Sequence, residues 1–182
     1  LVFLSYLYQE KEAGKIFFKG GTALRLLFDS PRFSEDLDFS TVCPDGEIIK
    51  LLTGLEEKIA REIPGLKIVP IYSGKEGIRF SVRFALSVLK YPLNVRLDFN
   101  RVGKIRDKQI STLTTRFPVM IFPQIFHLSK EAILQEKFTA LKTRSKGRDI
   151  FDVWFLLVKG VAVLPDVKYN KDEIIKRIKA FS

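Results

Sequence analysis

IFFKGGTALRLLFDSPRFSEDLDFS, residues 16–40, is the stretch from which the rest of the chain is read. An apolar run over 16–19 predicts a short strand. Gly20 and Gly21 then turn the chain, and residues 22–28 predict a short helix that Ser30 and Pro31 break. Asp36, Leu37, Asp38 and Phe39 alternate polar and apolar, the period of a strand with one buried face, so the two carboxylates share the other face. Glycine reaches positive φ and has no Cβ, so such a turn lets backbone N–H groups approach a phosphate. The helix that follows aims its open N–H groups at the same place. A glycine pair alone is weak evidence; its position between strand and helix, ahead of an Asp-x-Asp strand, makes it specific. Thr22 is read as a helix cap or as one more hydroxyl at the phosphates. Paired carboxylates repel unless a cation lies between them, and hard oxygen ligands suit Mg²⁺, with Mn²⁺ as a substitute.

A third carboxylate lies in LNVRLDFN, residues 93–100. Leu93, Val95, Leu97 and Phe99 form one face there, and Asn94, Arg96, Asp98 and Asn100 the other. Asp98 on a neighbouring strand would complete a three-carboxylate site with Asp36 and Asp38 and activate an attacking hydroxyl, with Arg96 beside it for phosphate charge. The plain alternative is that solvent-facing strand positions carry charges anyway.

Between these motifs, residues 47–62 predict an amphipathic helix, and 66–72, 78–86 and 93–99 predict strands. Residues 1–13 read as the end of a helix, and 101–128 as short β-prone pieces. Helices are predicted over 130–144, 149–158 and, after Pro165, 171–181. The layout is an α/β core over residues 1–125 and a helical part over 126–182.

On the helix over 130–144, at roughly 100° per residue, Lys137 falls about 40° and Arg144 about 20° from Ile133, inside the apolar arc. Inward-facing cations need anionic partners unless their stems merely snorkel. The segment GRDIFDVWFLL supplies Arg148, Asp149 and Asp152 on one stripe of a helix otherwise apolar all round and therefore expected to be buried. Pairs Lys137–Asp152 and Arg148–Asp149 follow, although Asp149 also suits a helix N-terminus. The opening stretch offers no cation toward a triphosphate unless Lys19 or Arg25 turns inward, so Lys137 is the expected one.

The 182 residues carry 31 Lys and Arg against 21 Asp and Glu, a net charge of +10 that attracts polyanions. A lysine-rich solubilising surface is the bland alternative. Hydrophobic residues at 46%, including 16 Phe, supply ample core and exclude disorder. No apolar run approaches the ~20 residues of a membrane span. The single cysteine, Cys43, excludes a disulfide framework, and the single His127 excludes a histidine-rich metal site. A monomer in a reducing cytoplasm, without a membrane partner, is the expectation. The chain begins on Leu1 rather than Met, which suggests a missing N-terminal segment.

With these residues assembled, the sequence resembles the AbiEii/AbiGii family of nucleotidyltransferase toxins from type IV toxin–antitoxin systems. FKGGTALRLL…RFSEDLDFS looks like its first motif, VRLDF like its third-carboxylate strand, and EKFTALKTRSKGRDIFDVW like its C-terminal motifs. The resemblance implies an α+β, DNA polymerase β-like nucleotidyltransferase fold: a mixed sheet flanked by helices, with a helical C-terminal part completing the site. It also implies that Gly20 and Gly21 hold nucleotide phosphates and that Asp36, Asp38 and Asp98 bind Mg²⁺. Lys137 would then contact the triphosphate of an NTP, with Thr22, Arg144, Arg148, Asp149 and Asp152 around it. The acceptor it favours is RNA, tRNA foremost, and the partner a separately encoded antitoxin. A small-molecule hydroxyl as acceptor, and a non-catalytic nucleic-acid-binding domain on the same fold, are the rival readings. Gly21 stands where many members of the superfamily carry Ser, which removes a hydroxyl but not the backbone donors.

Overall fold

In a computed structural model, described for residues 1–85, 90–105, 107–114, 122–144 and 146–163, the chain divides into two compact units, Leu1–His127 and Leu128–Ser182. The first unit opens with helix α1 (Val2–Leu7) and a 3-10 turn (Lys11–Lys15). Strand β1 (Ile16–Lys19) runs straight into helix α2 (Gly20–Phe28). Strand β2 (Leu37–Thr41), helix α3 (Asp45–Ala60), and strands β3 (Lys67–Gly74), β4 (Gly77–Phe84) and β5 (Leu93–Arg101) follow. Strands β6 (Lys108–Thr112) and β7 (Gln124–Leu128) come last.

Among the described residues the strands form one seven-stranded sheet in the order β3-β4-β5-β2-β1-β7-β6. β1 is antiparallel to β2 and parallel to β7, β2 is parallel to β5, and β3, β4 and β5 form an antiparallel run. This is the mixed α+β sheet that the family resemblance implies. Its core face carries a row of phenylalanines. Phe18 lies 5.5 Å from Phe39, and Phe39 stacks on Phe99 at 4.8 Å. All three are fully buried, each contributing roughly 1.5–3 kcal/mol by burial. α3 buries Ile48, Leu51, Leu52, Leu55 and Ile59, the residues that its helical spacing singles out.

Several boundaries differ from expectation. The N-terminal helix stops at Leu7, and a 3-10 turn takes the chain through Gly14, where the apolar pattern predicts a longer helix. α2 starts at Gly20 itself: the glycines are its first turn, not a separate loop. Asp36 lies just ahead of β2 rather than on it. The β-prone residues at 119–121, the Pro165 break and the helix over 171–181 lie outside the described residues.

In the second unit, α4 (Lys130–Thr143) and α5 (Gly147–Val158) pack on each other. Ser129 caps α4 by accepting a hydrogen bond from the Ala132 N–H at 3.1 Å. α5 is not buried all round, because Trp154, Leu157 and Val158 are exposed. Among the described residues no helix is long and apolar enough to cross a membrane.

Candidate active site

The strand registers generate one row of side chains across five strands. Lys19 pairs with Asp38, Asp38 with Asp98, Asp98 with Arg79, and Arg79 with Tyr72. Directly paired residues face the same side of a sheet, so the row Lys19–Asp38–Asp98–Arg79–Tyr72 lies opposite the phenylalanine core. Asp38 and Asp98, sixty residues apart in the chain, are therefore neighbours on parallel strands. Asp36 is tied to the adjacent row, with its carboxylate accepting from Arg96 at 3.2 Å.

Gly20 is built into this row. Its φ of +78° is the left-handed conformation that favours glycine, and a Cβ there would overlap the Asp38 carboxylate and stand 3.0 Å from the Asp38 Cβ. The start of α2 is thereby held against the carboxylate. At Gly21 a Cβ would overlap the Arg32 guanidinium and lie 2.9 Å from the Ser34 hydroxyl. The loop between α2 and β2 thus lays a cation beside the helix N-terminus. No periodicity in the sequence points to Arg32 at this position. Arg25 instead bonds the Pro31 carbonyl at 3.3 Å and lies over the Phe33 ring, while Lys19 is buried.

Thr22 is not a cap. Its hydroxyl donates to the Asp36 carbonyl at 2.5 Å, which ties α2 to the residue that precedes β2. Gly20→Ala should therefore disturb both geometry and stability. The left-handed backbone costs a residue with a Cβ about 1–2 kcal/mol, and Asp38 must also rotate away. We expect the melting temperature to fall by roughly 2–8 °C and nucleotide transfer to fall by about two orders of magnitude, measured on the same preparation by thermal melt and by transfer of labelled nucleotide.

Arg79 and Arg96 constrain the carboxylates. Arg79 Nε donates to Asp98 Oδ2 at 2.6 Å and Asn100 Nδ2 to Asp98 Oδ1 at 2.6 Å. The hydrogen bond to Asp98 and its charge push the Arg79 pKa up. Arg96, expected to stand ready for phosphate, is committed to Asp36. Among the described residues no group of three acidic, His or Cys side chains is already gathered closely enough to hold a metal ion. The donor chemistry does fit a hard cation: Asp38 and Asp98 present carboxylates level with each other, beside a cradle that any Cβ at Gly20 would fill.

In the C-terminal unit a second charged cluster forms. Lys137 Nζ lies 3.1 Å from Asp149 Oδ1 and 2.7 Å from Asp152 Oδ2, with both aspartates fully buried. Arg144 donates to the same Asp149, through Nε at 2.9 Å and Nη2 at 3.2 Å. The Lys137–Asp152 pair is as expected, but the arginine that pairs with Asp149 is Arg144 rather than the exposed Arg148. α4 ends at Thr143, so Arg144 is extended and off the helical wheel, which lets its guanidinium turn to Asp149. Asp149 does lie in the first turn of α5, where a carboxylate suits the helix dipole.

Burial alone pushes the Asp149 carboxyl up. The Arg144 hydrogen bonds and the Lys137 charge outweigh it and hold the group below the usual carboxylate range. A depressed carboxyl contributes stability that is complete above its unfolded value, about 3.9, and is lost as pH falls through the lower folded value. Thermal melts should therefore show this contribution unchanged between pH 5 and 7 and lost below about pH 4. Asp149→Asn should lower the melting temperature at pH 7 and flatten that acid-side fall.

None of the curated proteins matches the sequence. Among solved structures, JHP933 from Helicobacter pylori superposes with a TM-score of 0.64 at 24% identity, over 99% of this chain and 69% of that one. The nucleotidyltransferase toxin MenT4 from Mycobacterium tuberculosis H37Rv superposes with a TM-score of 0.59 at 22% identity, over 83% of this chain and 53% of that one. The chain thus spans little more than half of MenT4, and at these identities the likeness is one of fold. The family model described as "Nucleotidyl transferase AbiEii toxin, Type IV TA system" matches residues 2–175. The chain belongs to the AbiEii family of nucleotidyltransferase toxins.

Proposed function

We propose that this nucleotidyltransferase moves a nucleoside monophosphate from an NTP to a hydroxyl of RNA, tRNA foremost, with Mg²⁺ as cofactor. It acts as a cytoplasmic monomer held in check by a separately encoded antitoxin. The observation that carries this reading is the row in which Asp38 and Asp98 stand side by side with Gly20 pressed against Asp38. Backbone N–H groups at Gly20 and Gly21, with Arg32 beside them, receive the β- and γ-phosphates. The acceptor oxygen forms its bond to the α-phosphorus, the bond to the bridging oxygen breaks, and pyrophosphate leaves. Asp98 takes the hydroxyl proton.

Asp36, Asp38 and Asp98 would hold Mg²⁺, or Mn²⁺ in its place, once Arg79 and Arg96 yield their share of the oxygens. When bound, the metal neutralises charge that develops on the phosphates. The net charge of +10 supports a polyanionic acceptor.

The test is incubation with each radiolabelled NTP, Mg²⁺ and total RNA. Label in tRNA-sized RNA that depends on Mg²⁺ and disappears with Asp38→Asn supports the reading. Label found only in small molecules would redirect it to a small-molecule acceptor.

A further inference from the structure

The sheet face beyond Asp98 is the second surface that the reaction needs. In-line displacement puts the attacking and leaving oxygens on opposite sides of the α-phosphorus. In the proposed function the phosphates sit at Gly20, on the β1 side of Asp38, which puts the leaving pyrophosphate on that side. The attacking hydroxyl must arrive from the other side, across Asp98, where β5, β4 and β3 present an open face.

That face is patterned. After Asp98 and Arg79 in the first row come Arg96 paired with Ser81 in the next, then Asn94 paired with Arg83. A cleft of about 310 Å³ lies over it, lined by Asp36, Tyr72, Arg79, Asn94 and Arg96, with Glu35 at the rim. The Tyr72 residue is 47% exposed, and the Arg79 guanidinium stands 5.2 Å from its ring centroid. Tyr72 lies three strand spacings from Asp38, about 14 Å at roughly 4.8 Å each. Arg83 is exposed; its Nε bonds the Ser81 hydroxyl at 3.1 Å, and among the described residues it has no carboxylate partner. Exposed arginines flanking an open aromatic ring on a sheet face are the chemistry that binds single-stranded nucleic acid, by phosphate pairing and base stacking.

We propose that the β3–β4–β5 face is the track for the acceptor strand. A single-stranded RNA end carrying a free hydroxyl lies along it, a base near that end stacks on Tyr72, and Arg83 takes a backbone phosphate further out. This assignment rests on the RNA-acceptor reading above.

The test measures binding of a 5′-fluorescein-labelled 12-nucleotide single-stranded RNA to the full chain by anisotropy at two salt concentrations. Binding of radiolabelled NTP is measured separately by equilibrium dialysis. Tyr72→Ala should weaken RNA binding about tenfold, with Tyr72→Phe restoring it. Arg83→Gln should weaken it severalfold and lower the salt slope by about 0.7. Both variants should leave NTP binding unchanged. Lys15→Gln makes the same charge change at the far end of β1, where Lys15 pairs with Glu47, and should alter neither ligand. If the wild-type chain binds the RNA while Tyr72→Ala and Arg83→Gln bind it equally well, or if Lys15→Gln weakens it as much, the track is wrong and the RNA reading survives. The track is equally wrong if a blunt RNA duplex binds as tightly as the single strand. If the wild-type chain binds no RNA, the RNA reading itself fails and takes the track with it.

Discussion

Asp38→Asn lowers the rate of nucleotide transfer by roughly 10²–10³-fold while leaving the melting temperature within a few degrees of the parent. The expectation follows from where Asp38 stands. It is the shared member of the Lys19–Asp38 and Asp38–Asp98 pairs, and Gly20 gives up its Cβ so that α2 can press on it. Asparagine has the same size, so the packing against Gly20 is kept. What disappears is one negative charge at the point where the phosphates and their cation would meet. Single-turnover transfer of labelled nucleotide, measured beside NTP binding, separates lost chemistry from lost affinity. Transfer that persists within a few-fold, or growth inhibition that survives Asp38→Asn, would sink the catalytic reading and favour a non-catalytic binding domain.

Lys137→Met is expected to destabilise the protein by about 3–5 kcal/mol. Lys137 Nζ lies within 3.1 Å of both Asp149 and Asp152, and both carboxylates are wholly buried. Removing the ammonium leaves Asp149 with Arg144 and takes from Asp152 a counter-ion 2.7 Å away. Methionine keeps the stem volume, so the loss is electrostatic rather than a cavity. Chemical denaturation measures the cost. The triple variant Lys137→Met, Asp149→Asn, Asp152→Asn removes the opposed charges together and should recover much of the stability. Its transfer activity distinguishes two roles for Lys137. If Lys137 contacts the triphosphate, transfer stays low in the stable triple variant. If transfer returns along with stability, Lys137 is only a structural pin.

Much of this was legible in the chain because it is local. Strand alternation put Asp36 and Asp38 on one side and Leu37 and Phe39 on the other, and the buried Phe39 and half-buried Asp38 follow that pattern. The same period separated Asp98 from Leu97 and Phe99. Helical spacing placed Lys137 inside an apolar arc, where it is indeed buried with acidic partners. Local patterning failed where backbone direction changes. Arg144 lies past the end of α4, so an angle on that helix says nothing about its partner. Thr22 resembles a capping residue by position, yet its hydroxyl reaches the Asp36 carbonyl fourteen residues on, because α2 packs on β2.

By itself the sequence determined which side chains share a face, since that depends only on a period of 2 or 3.6 residues along one element. It also determined where the backbone has no Cβ to accommodate, at Gly20 and Gly21. Only the tertiary structure decided which faces meet. Lys19, Asp38, Asp98, Arg79 and Tyr72 come from five strands, and their alignment in one row is a property of hydrogen-bond register between strands up to sixty residues apart. A shift of one residue in any of those pairings would send a strand's polar side chains into the phenylalanine core. Burial of Phe18, Phe39 and Phe99 is therefore what holds the carboxylates in line.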